Sequence, residues 1–237
     1  MWLNRIIMKK RQYRALFWLP YRLCRRIAIA NVNYIYQRPV LDMKHVVIEE
    51  ECAIEQCSRS RLRELMQTTD RTISESDFAM LESGKASCYA ASHNNSLVGY
   101  AWVAFGDVSA DMNHDGKPET GLPIQLGDDA AFIFHVLVLP DYRGKRLYAA
   151  IVSQIASELG TQGIRTMVLT TEASNHRARR AVRRMGFNKI GQTWIFRVGP
   201  LCKVFYSTIP EEFGIKIGRY VGDCVDRKRT ISGMASL

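Results

Sequence analysis

Residues 134–187 read FHVLVLPDYRGKRLYAAIVSQIASELGTQGIRTMVLTTEASNHRARRAVRRMGF. The stretch opens inside a nearly continuous apolar run, Ala130–Leu139, the pattern of a strand buried on both faces. Pro140 ends it. A tight turn, Asp141–Lys145, follows, and an amphipathic helix, Leu147–Leu159, opens directly and closes at Gly160. Ile164–Thr171 is a second strand. Asn175–Met185 is a strongly basic helix stopped by Gly186. A helix start leaves backbone N–H groups unpaired and carries a partial positive charge. With Arg143, Lys145 and Arg146 beside it, this one is suited to a pyrophosphate. An ordinary strand–turn–helix with solvated basic residues is the competing reading.

Upstream, the short apolar run His45–Ile48 is expected as a strand, and Ser58–Gln67 and Ser74–Glu82 as helices. Ser74 and Asp77 have the spacing of an N-terminal capping box. Ala86–His93 and Leu97–Phe105 are β-rich runs separated by Asn94, Asn95 and Ser96, a hairpin signal. Residues 106–128 are expected to form a polar loop. Downstream, Thr193–Val198 and Lys203–Ile209 are the last expected strands, and no internal repeat is present. The order predicts a mixed α/β (α+β) domain with a central sheet of about seven strands flanked by helices, pairing in parallel where helices intervene.

The "VLVLPDYRGKRL" turn, the strand after it, and Asn175, Ala178, Gly186 and Phe187 on the next helix resemble the GNAT superfamily of acyl-CoA-dependent N-acyltransferases. Val138, Pro140, Tyr142, Arg143, Gly144 and Leu147 match the family's strand–turn–helix pattern. The element order fits from residue 45 to residue 209. The resemblance implies a sheet whose fourth strand splays from its fifth, with the co-substrate, acetyl-CoA or another acyl-CoA, inserted between them. Backbone groups of Val136, Leu137 and Val138 would bond the pantetheine arm, which Asn175 would also reach. Amides of Gly144, Lys145, Arg146, Leu147, Tyr148 and Ala149 would wrap the pyrophosphate, with Arg143 at the mouth. Arg177, Arg179, Arg180, Arg183 and Arg184 could meet the adenosine 3′-phosphate. The reaction would be direct attack of a neutral amine on the thioester.

The sequence departs from the family in four places. Arg146 stands where Gly is usual, and Tyr148 where Gly or Ala is usual; both are expected to point outward, leaving their amides available. A Tyr that often serves as acid is Val182 here, and a Glu found in some members is Thr170. Three residues are candidate substitutes for this acid–base work. His135 lies beside the thioester path. Glu172 falls on the same side of its strand as Thr170. Tyr206 sits on a late strand. Each has a purely structural alternative: a hydrogen-bonded core histidine, a paired strand-end carboxylate, a packed phenol.

Composition bounds the remaining choices. The chain has 237 residues, 47% hydrophobic and 24% charged, with a formal charge of +10, which excludes disordered and fibrous classes. No run approaches the roughly 18 apolar residues of a membrane span. Residues 1–39 carry nine Lys/Arg and no acid, residues 40–140 seven bases against sixteen acids, and residues 141–200 eleven against three. Residues 1–40 are expected as a basic amphipathic helical leader ending in an extended connector at 31–40. Residues 41–210 are the acyltransferase domain and 211–237 a tail. Residues 1–30 are a candidate for peripheral membrane contact or for packing on the domain. The acidic 40–140 half favours a cationic amine acceptor, small molecule or protein. Nucleic acid is disfavoured, and no secretory signal is expected. Six scattered cysteines fit reduced thiols in a cytoplasmic protein and neither a zinc site nor a disulfide framework. Asp111, Asn113, Asp115 and Gly116 match the opening of a calcium loop, but position twelve is Leu122, so a polar turn is expected and no metal. The leading function is acetyl transfer to a primary amine. The alternatives are transfer of a longer acyl chain, or a non-catalytic module that binds acyl-CoA, a partner or a membrane.

Overall fold

Eight strands alternate with four helices around the apolar run 130–139, and three short strands form a second sheet beside them, counted among the described residues. The structure is a computed structural model, and it describes residues 29–48, 52–67, 73–110, 112–113, 120–198 and 201–218. In chain order the elements are β1 (Ile29–Pro39), β2 (Ala53–Cys57), α1 (Arg59–Met66), α2 (Glu75–Glu82), β3 (Ala86–His93), β4 (Ser96–Phe105), β5 (Asp107–Val108), β6 (Ile124–Leu126), β7 (Ala130–Val138), α3 (Leu147–Thr161), β8 (Thr166–Glu172), α4 (His176–Arg184), β9 (Asn188–Val198), β10 (Leu201–Tyr206) and β11 (Ile215–Ile217). The large sheet runs β10-β9-β1-β8-β7-β4-β3-β2, and the small one β11-β6-β5.

Local chemistry explains most of the elements. Asn94 and Asn95 take φ of 50° and 57°, the left-handed pair a two-residue hairpin demands, so β3 and β4 pair in antiparallel register. Ser74 accepts from the Asp77 N–H while the Asp77 carboxylate accepts from the Ser74 N–H, closing the expected box on α2. β7 is apolar on both faces because both are covered. Phe132 and Phe134 face α1 and α2 with Trp102, Leu62, Leu65 and Phe78. Ala131 and Ile133 face α3 with Leu147, Ile151 and Ile155. Each of the large side chains among these contributes about 1.5–3 kcal/mol of transfer free energy.

Expectations for three segments are corrected. Residues 31–40 are not a connector. Residues 31–39, together with Ile29 and Ala30, form β1, paired antiparallel to β8 on one side and β9 on the other. β8 and β9 are therefore separated by β1, and the parallel pair with an intervening helix is β7–α3–β8. Residues 45–48 carry no regular structure; the strand there is β2, five residues further on. Residues 106–128 contribute β5 and β6 rather than only a loop, and β11, from the expected tail, pairs with β6. The large mixed sheet flanked by helices is the expected one, with eight strands. The helix expected before residue 29 lies outside the described residues, as does the tail after residue 218.

Candidate active site

β7 and β8 pair at four positions, from Ala130↔Thr166 to Ile133↔Leu169, and then part. The separation is not fraying. β7 stays bonded to β4 through Tyr100↔Leu137 and Gly99↔Val138, and β8 stays bonded to β1 through Asn33↔Glu172. A gap therefore opens inside the sheet between 134–138 and 170–172. Its local cause is His135, whose φ of 42° lies in the left-handed region, opposite a register shift in the β4–β7 ladder between Tyr100 and Trp102. A bulge of this kind bends one strand away from its neighbour. The Leu139 N–H donates to the Val98 carbonyl on β4 at 2.9 Å. Donors alternate sides along a strand, so the Val138 N–H points to the gap. The Arg143 Nε–H donates to the Val138 carbonyl at 3.0 Å, which places the guanidinium at the mouth.

The turn into α3 runs through a 3-10 turn at Pro140–Tyr142, Gly144 at φ +85°, and Arg146 at φ +64° and ψ 7°. No side chain caps α3, so the first-turn N–H groups keep no partner within the helix and present the positive end of its dipole. Arg143, Lys145 and Arg146 are exposed around them. Tyr142 braces the turn: its hydroxyl is 2.7 Å from His93 Nδ1, and the Lys145 ammonium lies 5.3 Å from its ring centroid. Arg146 points outward as expected. Tyr148 does not. It is half-buried against the apolar cluster beneath α3, and burial pushes its phenol pKa up, so the hydroxyl keeps its proton at neutral pH.

The catalytic candidates separate by position. His135 and Glu172 both lie on the α1/α2 face, flanking the gap. His135 Nδ1 is 3.4 Å from Asp77 Oδ1 on α2. Glu172 accepts a hydrogen bond from the Ser174 hydroxyl. Tyr206 shares the Glu172 face, but register puts it in the row Glu172–Asn33–Thr193–Tyr206. That is three strand spacings, about 14 Å, from Glu172, and one more from β7. His135 on β7 and Glu172 on β8 thus share one face on either side of the gap, and Tyr206 lies apart from both. Val182 is buried in the core, and the Thr170 hydroxyl donates to Asn113 Oδ1 at 2.5 Å. Asn175 caps α4, its Oδ1 accepting from the Ala178 N–H at 3.1 Å. Of the α4 arginines, Arg177, Arg180, Arg183 and Arg184 are exposed. Arg179 instead donates to the Ala173 carbonyl at 2.6 Å and lies over the Tyr34 ring.

Asp77 is the residue that sequence reasoning did not place in the site. Its capping-box spacing accounts for it fully as a helix start, and only the packing of α2 against β7 shows its second oxygen on His135. Among the described residues no group of three His, Cys, Asp or Glu could hold a metal ion. Of the calcium-like segment, Asn113 is described; its amide donates to the Leu122 carbonyl at 2.7 Å, and Asp111 and Asp115 lie outside the described residues. No helix among the described residues is long and apolar enough to cross a membrane.

No curated protein matches the chain. Solved structures with a similar fold include a functionally unknown conserved protein from Staphylococcus epidermidis, 16% identical, TM-score 0.46, covering 76% of this chain and 66% of that one, just under two thirds of its length. A predicted acetyltransferase with acetyl-CoA from Clostridium acetobutylicum is 16% identical, TM-score 0.39, covering 58% of this chain and 90% of that one. The ribosomal-protein-S18-alanine N-acetyltransferase from Escherichia coli is 21% identical, TM-score 0.40, covering 58% and 77%. The family model for the acetyltransferase (GNAT) family matches residues 50–187, more than half of the chain and spanning the gap, the turn and the basic helix. The chain belongs to the GNAT acetyltransferase family.

Proposed function

We propose that the protein is an acyl-CoA-dependent N-acyltransferase that moves an acetyl group from acetyl-CoA to a primary amine by direct attack. The observation that supports this most is the parting of β7 and β8 after four pairs, next to the uncapped start of α3. A slot with strand-edge amides on one wall and helix N–H groups at its end suits an amide-bearing arm attached to a diphosphate. In this reading Val136, Leu137 and Val138 supply the strand edge. Gly144 through Ala149 hold the diphosphate, and Arg143, tied to the Val138 carbonyl, closes the mouth. The neutral phenol of Tyr148 lies under the helix start without competing charge. Holding a neutral amine against the thioester supplies most of the rate, and the α1/α2 face, with Asp77 and Glu172, suits a cationic acceptor.

Mass spectrometry of small molecules released from the purified protein, followed by thiol-release assays with acetyl-CoA and glucosamine, spermidine, an alanyl peptide and a lysyl peptide, tests this. A co-purifying CoA ester and thiol release with at least one amine are expected. Stabilisation by acetyl-CoA without turnover on any amine would make the protein a binding module instead. Turnover with octanoyl-CoA only would move the donor to longer chains.

A further inference from the structure

β7 should place successive side chains on opposite faces of the sheet. Ile133 lies on the α3 face and Phe134 on the α1/α2 face, so His135 should return to the α3 face. It does not. Its φ of 42° turns the ring to the other side, where it packs 4.9 Å from the Phe134 ring centroid and reaches Asp77 of α2. A non-glycine residue held there is strained, and such strain persists where neighbouring contacts over-determine it. The position is two residues past the last β7–β8 pair, where the gap begins.

Asp77 is itself fixed independently of His135. Its Oδ2 accepts from the Ser74 N–H at 3.2 Å and from the Ser74 hydroxyl at 2.7 Å, which leaves Oδ1 for the ring. The carboxylate side chain is 13% exposed and the imidazole 28%, so the carboxylate is covered while part of the ring stays open. Burial alone would raise the Asp77 pKa, but the hydrogen bonds from His135 and Ser74 bring it below its ordinary value. An ionised carboxylate facing Nδ1 selects the tautomer with the proton on Nδ1 and the lone pair on Nε2.

We propose that Asp77 is a positioning residue for acyl transfer, holding the His135 ring by Nδ1 so that Nε2 receives the proton released when the acceptor amine attacks the thioester. The inference rests on the acyltransferase reading above. The amine nitrogen's lone pair forms the new C–N bond, and the C–S bond breaks with its electron pair on sulfur. The nitrogen's proton passes to Nε2 and from there to the departing sulfur, leaving an amide and a free thiol. Asp77 touches neither reactant.

The test compares Asp77→Asn, Glu75→Ala and His135→Gln with the wild-type protein, using acetyl-CoA and the amine panel above. Asn at position 77 can still accept from the Ser74 N–H, so the helix start survives. D77N should lower kcat on the order of 10–100-fold, with KM for acetyl-CoA changed less than about twofold. H135Q should lose at least as much, and the double variant no more than H135Q. E75A, which removes an exposed first-turn acid of α2 paired with Arg59 and Arg63, should leave kcat within about twofold. Nitrogen-15 spectra of labelled imidazoles should show His135 with its proton on Nδ1 in the wild type and not in D77N. Wild-type turnover by D77N, an unchanged tautomer, or an equal loss in E75A would overturn the role. A wild-type protein that acylates no amine would overturn the acyltransferase reading and this role together; D77N turning over like wild type overturns this role alone.

Discussion

Arg146 begins α3 from the left-handed region, at φ 64° and ψ 7°, and its backbone makes the first intrahelical bond, from the Ala150 N–H to the Arg146 carbonyl at 3.0 Å. An L-residue with a side chain costs roughly 1–2 kcal/mol there, and glycine does not. Glycine loses about 0.5–1 kcal/mol in return, because it orders more backbone on folding. Arg146→Gly and Arg146→Ala remove the same charge and differ in this balance alone. The glycine variant should therefore be the more stable by about 1 kcal/mol, which for a chain of this size is roughly 2–4 °C in melting temperature. Differential scanning fluorimetry on the three proteins at one pH reads it directly. Equal melting temperatures for Gly and Ala, or a more stable Ala variant, would show that residue 146 is not left-handed. The tight turn would then not present the α3 amides.

A Cβ on Gly121 would lie 2.1 Å from the Asn113 carbonyl oxygen and 2.3 Å from that of Ala110, both backbone. Gly121→Ala should cost more than about 2 kcal/mol, or roughly 4–8 °C, measured by thermal melting; an unchanged melting temperature would contradict the close approach of Gly121 to the Ala110 and Asn113 carbonyls. Asp77 has a folded-state pKa below its ordinary one, so the stability it contributes is fully present above the ordinary carboxylate range and is lost as pH falls through the folded value. Melting temperatures from pH 6 down to about 3 should fall more steeply for wild type than for D77N, and parallel curves would contradict the paired carboxylate. Burial, then the Glu55 charge, pushes the Cys57 thiol up to about 11, so its thiolate is scarce at pH 8. Peptide mapping after brief iodoacetamide treatment at that pH should find Cys57 unmodified in the folded protein and labelled in urea; rapid labelling of the folded protein would contradict its burial.

The readable parts of this fold were those in which local chemistry and burial agree. Gly144, Gly186 and the Asn94–Asn95 pair each need a positive φ that their side chains tolerate, and each sits where the sequence places a turn. β7 is legible because it is apolar on both sides. β1 is not, because Asn31 and Asn33 alternate with Ala30, Val32 and Tyr34, and a strand that buries two asparagines reads as a connector. Its insertion between β8 and β9 is a tertiary choice that no local pattern announces. The three-residue strands β6 and β11 are too short for a period to show, and β11 finds its partner about ninety residues back along the chain. In the site, the α3 turn was legible from Arg143, Gly144 and Leu147. The orientation of His135 was not, since it reverses the alternation that strand reasoning assumes, and Asp77 could be seen only once α2 lay against β7.

The gap between β7 and β8 and the helix start at its end would together hold the co-substrate. Titration of the nitrogen-15-labelled protein with acetyl-CoA, followed amide by amide, tests both at once. The largest shifts should fall on Val136 and Val138 and on Lys145 through Ala149, while the paired segment Ala130–Ile133 stays nearly still. Shifts absent from those amides, or concentrated on the far edge of the sheet in β2 and β3, would contradict it.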